Sequence, residues 1–261
     1  MKKLATVVMA AAALAMLAGG AHAQDKRKVK IGTEGAYPPF NSIATDGQLV
    51  GFDIDVAKAL CAAENFECEF VVQDWDGIIP GLVAKKYDAI IASMSITDKR
   101  KEVVDFTDKY YATPARFVAA KGAGFDVSPE GLAGMAVGVQ RATVSEDFLR
   151  GEFPEVDVRA YATQDEANAD LVSGRLDLVL ADAVILLEGF LKTDAGKDFE
   201  FVGDGYFDPK YFGEGIGIAI RKGDGDLRTA LNEGIAKIRA DGTYQKINAK
   251  YFDFDVYGPT S

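Results

Sequence analysis

Two stretches of this chain lie on each other without a gap, Leu82-Val83-Ala84-Lys85-Lys86-Tyr87-Asp88-Ala89-Ile90-Ile91-Ala92-Ser93 and Leu171-Val172-Ser173-Gly174-Arg175-Leu176-Asp177-Leu178-Val179-Leu180-Ala181-Asp182. Each reads as a helix end, a basic turn, an aspartate and a short apolar strand. The polar residue after the strand is Ser93 in one copy and Asp182 in the other. A second match joins Lys30-Ile31-Gly32-Thr33-Glu34-Gly35 to Ala136-Val137-Gly138-Val139-Gln140-Arg141. A chain that uses one device twice, at corresponding places, is expected to build two similar lobes.

The pattern between these matches alternates strand and helix. Strands are predicted at Val29–Gly32, Glu69–Val72, Ala89–Ala92, Phe117–Ala120, Ala136–Val139, Val158–Tyr161, Leu178–Ala181 and Gly217–Ile220, with an amphipathic helix over Gly51–Leu60. The fold class is therefore α/β, each lobe a mainly parallel sheet flanked by helices. Ala112-Thr113-Pro114-Ala115 and Phe212-Gly213-Glu214-Gly215 mark where the chain leaves the first lobe and returns, a two-segment hinge. Lobe one is then 24–113 plus 213–261, and lobe two 114–212.

The first 23 residues read as a leader. Lys2 and Lys3 precede an apolar run from Leu4 to Leu17, and Gly19-Gly20-Ala21-His22-Ala23 supplies small residues for cleavage after Ala23. No later stretch approaches the roughly 20 apolar residues of a membrane span, so a soluble exported protein in a periplasm is expected. Loss of residues 1–23 removes two lysines and leaves 27 basic against 40 acidic side chains, a net charge near −13. That balance argues against nucleic acid or an anionic membrane as partner. The only histidine, His22, leaves with the leader, which excludes a Ser-His-Asp triad and histidine metal sites. Neither metal nor cofactor is expected. Cys61 and Cys68, the only cysteines, should pair in an exported protein.

The polar groups that follow the repeated strands look like a ligand site. Ala92-Ser93-Met94-Ser95-Ile96-Thr97-Asp98-Lys99-Arg100 puts serines and a guanidinium outside the carboxyl end of a strand, where open α/β sheets present their binding groups. Arg100 has the planar fork that grips a carboxylate, and Asp182, at the equivalent strand end, suits the ammonium of the same zwitterion.

Gly51-Phe52-Asp53-Ile54-Asp55, Lys85–Ile91, Ser93–Arg100, Asp241-Gly242-Thr243-Tyr244 and Lys250-Tyr251-Phe252 occur together here. In this combination the chain resembles the periplasmic amino-acid-binding proteins of ABC importers. It is most similar there to lysine/arginine/ornithine- and histidine-binding members, and also resembles opine-binding ones. The resemblance spans Val29 to Gly258 and implies a two-lobed, monomeric receptor that closes on a basic L-amino acid and passes it to a membrane permease. It implies that Arg100, Ser95 and backbone donors near Thr143 and Val144 take the ligand carboxylate, while Asp182 and Ser93 take the ammonium, with Met94 lying in the same motif. Tyr37 and Trp75 match the aromatics that sandwich the ligand side chain, and Glu34 stands where basic-ligand members place an acid. The loop Gln140-Arg141-Ala142-Thr143-Val144-Ser145 departs from the family by carrying Ala142 and Val144 in place of a glycine and a second hydroxyl. Gln140 leaves open a larger polar ligand such as an opine. A rival of another class is a cyclohexadienyl dehydratase-like enzyme on the same scaffold, with Glu34 as general acid.

Overall fold

The computed structural model describes residues 26–258. The leader expected at 1–23 and its cleavage point lie outside them. In chain order, β1 (Arg27–Thr33) runs into a small antiparallel sheet of β2 (Ala36–Tyr37), β3 (Asn41–Ile43) and β4 (Leu49–Val50). Then come α1 (Phe52–Ala63), β5 (Phe66–Val72), α2 (Trp75–Val83), β6 (Ala89–Ile90), α3 (Asp98–Lys101) and β7 (Val104–Tyr111). The chain crosses over and forms β8 (Ala115–Ala120), β9 (Ala136–Gln140), α4 (Val144–Glu152), β10 (Asp157–Tyr161), α5 (Gln164–Val172) and β11 (Leu178–Asp182). A π-helical segment, Ile185–Leu191, precedes β12 (Phe199–Tyr206) and α6 (Pro209–Phe212). The chain then returns as β13 (Ile216–Arg221), α7 (Gly225–Ala240) and α8 (Thr243–Tyr251).

The two large sheets have the orders β5-β1-β6-β13-β7 and β10-β9-β11-β8-β12. The gapless sequence repeat therefore lands on β6 and β11, the middle strand of each sheet, and the weaker match on their neighbours β1 and β9. Position by position the sheets correspond, and β7 and β12 each lead into a crossing from which β8 and β13 emerge.

Each sheet has one strand that opposes the other four, β13 in the first and β8 in the second. The expectation of mainly parallel sheets holds for strand direction, yet two of four pairings in each are antiparallel. The cause is the double crossing. Strands β1, β6, β9 and β11 point their carboxyl ends at the space between the sheets, so a strand that enters from that space must run the other way. Two further strands of the large sheets, β7 and β12, fall where no strand was predicted, as do the three short strands of the small sheet. The charged residues of β7 and β12, Asp105, Asp108 and Lys109 in one and Glu200 and Asp204 in the other, break the apolar pattern because both lie at sheet edges.

Helix α1 forms as its spacing predicts. Phe52, Ile54, Val56, Ala57, Leu60 and Cys61 are buried, and Asp53 and Asp55 in the first turn favour the positive helix start. Cys61 at its end is joined to Cys68 in β5 by a disulfide. Beneath the small sheet, Phe40 stacks on Tyr111 (centroids 4.6 Å apart) and Phe52 meets Tyr110, Tyr244 and Phe252, tying the start of α1 to the end of β7 and to α8. Gly213, in the second crossing, has φ of 71°, and a Cβ there would lie 2.0 Å from the Ile96 carbonyl oxygen. Only glycine lets the returning strand pass this close.

Candidate ligand-binding site

The crossings leave a cleft of about 720 Å³, its open mouth included, between the ends of the two sheets. Ten of the eleven residues expected at the site line it: Glu34, Tyr37, Trp75, Ser93, Ser95, Arg100, Gln140, Thr143, Val144 and Asp182. Met94 does not. Its side chain is fully buried beside Ile78, Leu82 and Val104 in the first lobe, because the chain turns at Ser93 (φ 53°) and sends alternate side chains to opposite sides. Its carbonyl accepts from the Gly217 N–H (3.0 Å). That same turn ends β6 at Ile90, two residues short of the predicted strand.

One end of the cleft gathers groups that favour an anion. Thr97 caps α3 with its side chain and thereby places Arg100, whose Nη1 donates to the Ser95 carbonyl (3.0 Å) and whose guanidinium lies 5.3 Å from the centre of the Trp75 ring. Burial lowers its pKa to about 10, partly offset by Asp147, so it stays charged at neutral pH. Opposite lies the start of α4, where Thr143, Val144 and Ser145 line the cleft. The first N–H groups of a helix have no intrahelical acceptor and favour an anion. Ala142 adopts the left-handed conformation (φ 58°), its N–H donates to Glu146 (2.7 Å), and its carbonyl accepts from the Trp75 indole (3.2 Å).

Asp182 ends β11. Its carboxylate accepts from the N–H groups of Val184 (2.8 Å) and Ile185 (3.3 Å) and from the Thr113 hydroxyl in the first crossing. Burial outweighs these bonds and raises its pKa to about 6. Ser93, the residue that corresponds to it in the sequence repeat, donates to Asp53 (3.0 Å), a fully buried carboxylate also held by Asn41 (2.9 Å) and Tyr110 (2.7 Å). Asn41 in turn accepts from the Gly35 N–H (2.8 Å), so Asp53 steadies both Ser93 and the loop that carries Glu34.

Glu34 follows β1 and is 6% exposed. Burial raises its pKa to about 7, opposed by a hydrogen bond from Gln140 Nε2 (2.6 Å) and reinforced by Asp74, Asp76 and Asp165. Tyr37 lies between the acids: burial, then the charges of Asp182 and Glu34, hold its hydroxyl proton firmly. Gln140 spans the lobes, as do Lys99 with Asp147 (2.8 Å), Arg141 with Asp76 (2.8 Å from Nε) and Trp75 with Ala142. The lobes are closed on each other.

Sequence reasoning missed Tyr111, Thr113, Ser145, Gln164 and Phe212 in the lining, and Asp53 behind it. Asp53 had a signal, an acid at a position that α1 must bury. Thr113 and Phe212 had one too, since both crossings were legible and necessarily border the cleft.

Residues 29–254 match the bacterial extracellular solute-binding proteins, family 3. The chain belongs to that family. This solute-binding protein is 51% identical over 260 residues to the L-arginine-binding protein of Pseudomonas aeruginosa, covering 99% of both chains. It is 46% identical to the lysine/arginine/ornithine-binding periplasmic protein of Escherichia coli, over 92% of this chain and 94% of that one. Among solved structures it resembles a Salmonella typhimurium periplasmic binding protein described for high arginine specificity. There the TM-score is 0.81 at 34% identity, covering 87% of this chain and 99% of the other. The names of all three are those of binding proteins. Like its relatives, this solute-binding protein has the two-lobed α/β fold, and no helix among its described residues is long and apolar enough to cross a membrane.

Proposed function

We propose that this protein captures a basic L-amino acid in the periplasm, arginine foremost among arginine, lysine, ornithine and histidine, and delivers it to an ABC permease. The observation that carries the reading is the buried Glu34 carboxylate in a cleft that also holds Arg100 and Asp182. Arg100 and the start of α4 take the α-carboxylate, and Asp182 with Ser93 takes the α-ammonium. Tyr37 and Trp75 flank the aliphatic stem, and Glu34 receives the distal cation. The relatives named for arginine and for lysine, arginine and ornithine support the same ligand class. Residues from both lobes converge on one zwitterion, so the ligand shifts an open–closed equilibrium by preferring the closed state. Gln140 engages its Nε2 with Glu34 and with the Ala162 carbonyl (3.2 Å), which leaves only its Oε1 to an opine.

Thermal-shift screening of the mature protein against the common amino acids and opines tests this reading. A ligand at about 100 times its dissociation constant adds roughly 2.7 kcal/mol of stability. Arginine, lysine, ornithine or histidine is expected to lead. A screen in which acidic or apolar amino acids alone raise the melting temperature refutes it.

A further inference from the structure

Gln164 has no part in the reading above, yet its surroundings give it one. It is the first residue of α5, 2% exposed, and it lines the cleft. Its Nε2 donates to Asn168 Oδ1 one turn along the helix (3.0 Å), which orients the amide. Its Oε1 is buried and, among the described residues, has no hydrogen-bond partner. A buried acceptor left unmade costs free energy, and such groups in native proteins call for an explanation.

The neighbourhood of that oxygen supplies one. Gln140 Nε2 sits between Glu34 Oε1 (2.6 Å) and the Ala162 carbonyl (3.2 Å), so the turn leading to Gln164 is pinned beside Glu34. The N–H groups of Ala162 and Thr163 are both taken by the Glu166 carboxylate, which holds that turn rigid. Two acceptors from different elements therefore border this end of the cleft, Glu34 after β1 and Gln164 at the start of α5. An ammonium presents three donors from one point. A guanidinium presents five in a planar fork that reaches in several directions at once.

We infer that Gln164 is a specificity-determining residue whose Oε1 accepts a hydrogen bond from the ligand's guanidinium and so favours arginine over lysine. The inference rests on the basic amino-acid reading proposed above. Calorimetric titration of the mature wild-type, Gln164→Met and Gln164→Glu proteins with L-arginine and with L-lysine tests it. Gln164→Met, which keeps the bulk but loses the acceptor, should weaken arginine about tenfold and lysine less than about threefold. Gln164→Glu keeps an acceptor and should preserve or raise the arginine-to-lysine ratio. A Gln164→Met protein that loses both ligands by the same factor assigns the residue to packing against Asn168 and overturns the inference. Thermal melts report folding, and Gln164→Ala replaces the methionine variant in the comparison if that one does not fold. Wild-type protein that binds neither ligand defeats the broader reading and this one together. Binding of both with an unaltered ratio in Gln164→Met defeats only this one.

Discussion

Glu34→Gln should make the unliganded protein more stable and the receptor worse. Burial raises the Glu34 carboxyl from 4.5 to about 7. Below pH 4.5 it is protonated folded or unfolded, and its environment makes no difference between the two. As pH rises from there to about 7, the folded state keeps a proton that the unfolded state has lost, and stability falls. Above pH 7 the loss is complete, on the order of 3 kcal/mol at about 1.4 kcal/mol per pKa unit. The substitution keeps the side chain's shape and can still pair with Gln140, but it removes the buried charge. Unliganded Glu34→Gln should therefore resist urea better than wild type at about pH 8, by up to roughly 3 kcal/mol, with the difference vanishing near pH 4.5. Binding moves the opposite way. A distal cation loses a charged partner worth about 1.5–3 kcal/mol, whereas neutral citrulline loses little. Denaturation of ligand-free protein across this pH range, with calorimetry on arginine and citrulline, reads both effects. Equal losses for the two ligands, or equal stabilities at pH 8, would refute the charge-pairing role.

Arg100→Ala and Asp182→Ala should each weaken arginine binding by roughly 2–5 kcal/mol while leaving the fold intact, because each strands the opposite charge of the bound zwitterion; titration calorimetry with circular dichroism checks both halves. Arginine binding should release protons near pH 6, since the ligand cation lowers the raised pKa values of Glu34 and Asp182. Affinity should then fall as pH drops below about 7, which calorimetry in buffers of differing ionisation enthalpy measures directly. Replacing Cys61 and Cys68 together by serine should cost about 2–3 kcal/mol, the chain-entropy value for so short a loop, read from urea midpoints under oxidising conditions.

The architecture was legible wherever the chain repeats itself. The gapless match of residues 82–93 to 171–182 marks the central strand of both sheets, and the weaker one marks its neighbour. Edge strands β7 and β12 escaped because a strand with one free edge tolerates charges that hide its period. At the site, Arg100 and Asp182 could be read from chemistry, since strand-end charges in corresponding places need a reason. Gln164 could not. A glutamine opening a helix is ordinary until the structure shows its oxygen buried in a cleft. The same holds for Met94, whose place in a motif full of ligand groups concealed that its side chain belongs to the core.

The double crossing also sets an order of assembly. All five strands of the second sheet come from residues 115–206, so that sheet can close as soon as this continuous segment is available. The first sheet cannot. Its strand β7 pairs only with β13, which is made more than a hundred residues later, and β13 in turn bridges β7 to β6. A chain that emerges amino end first must hold β1, β5, β6 and β7 in an incomplete sheet until residues 216–221 arrive, a long-range closure of the kind that slows folding. Pulsed hydrogen exchange during refolding should then find the β9 and β11 amides protected before those of β7. The half that leaves the ribosome first therefore stays unfinished until almost all of the chain has been made, while the half made after it can already be complete.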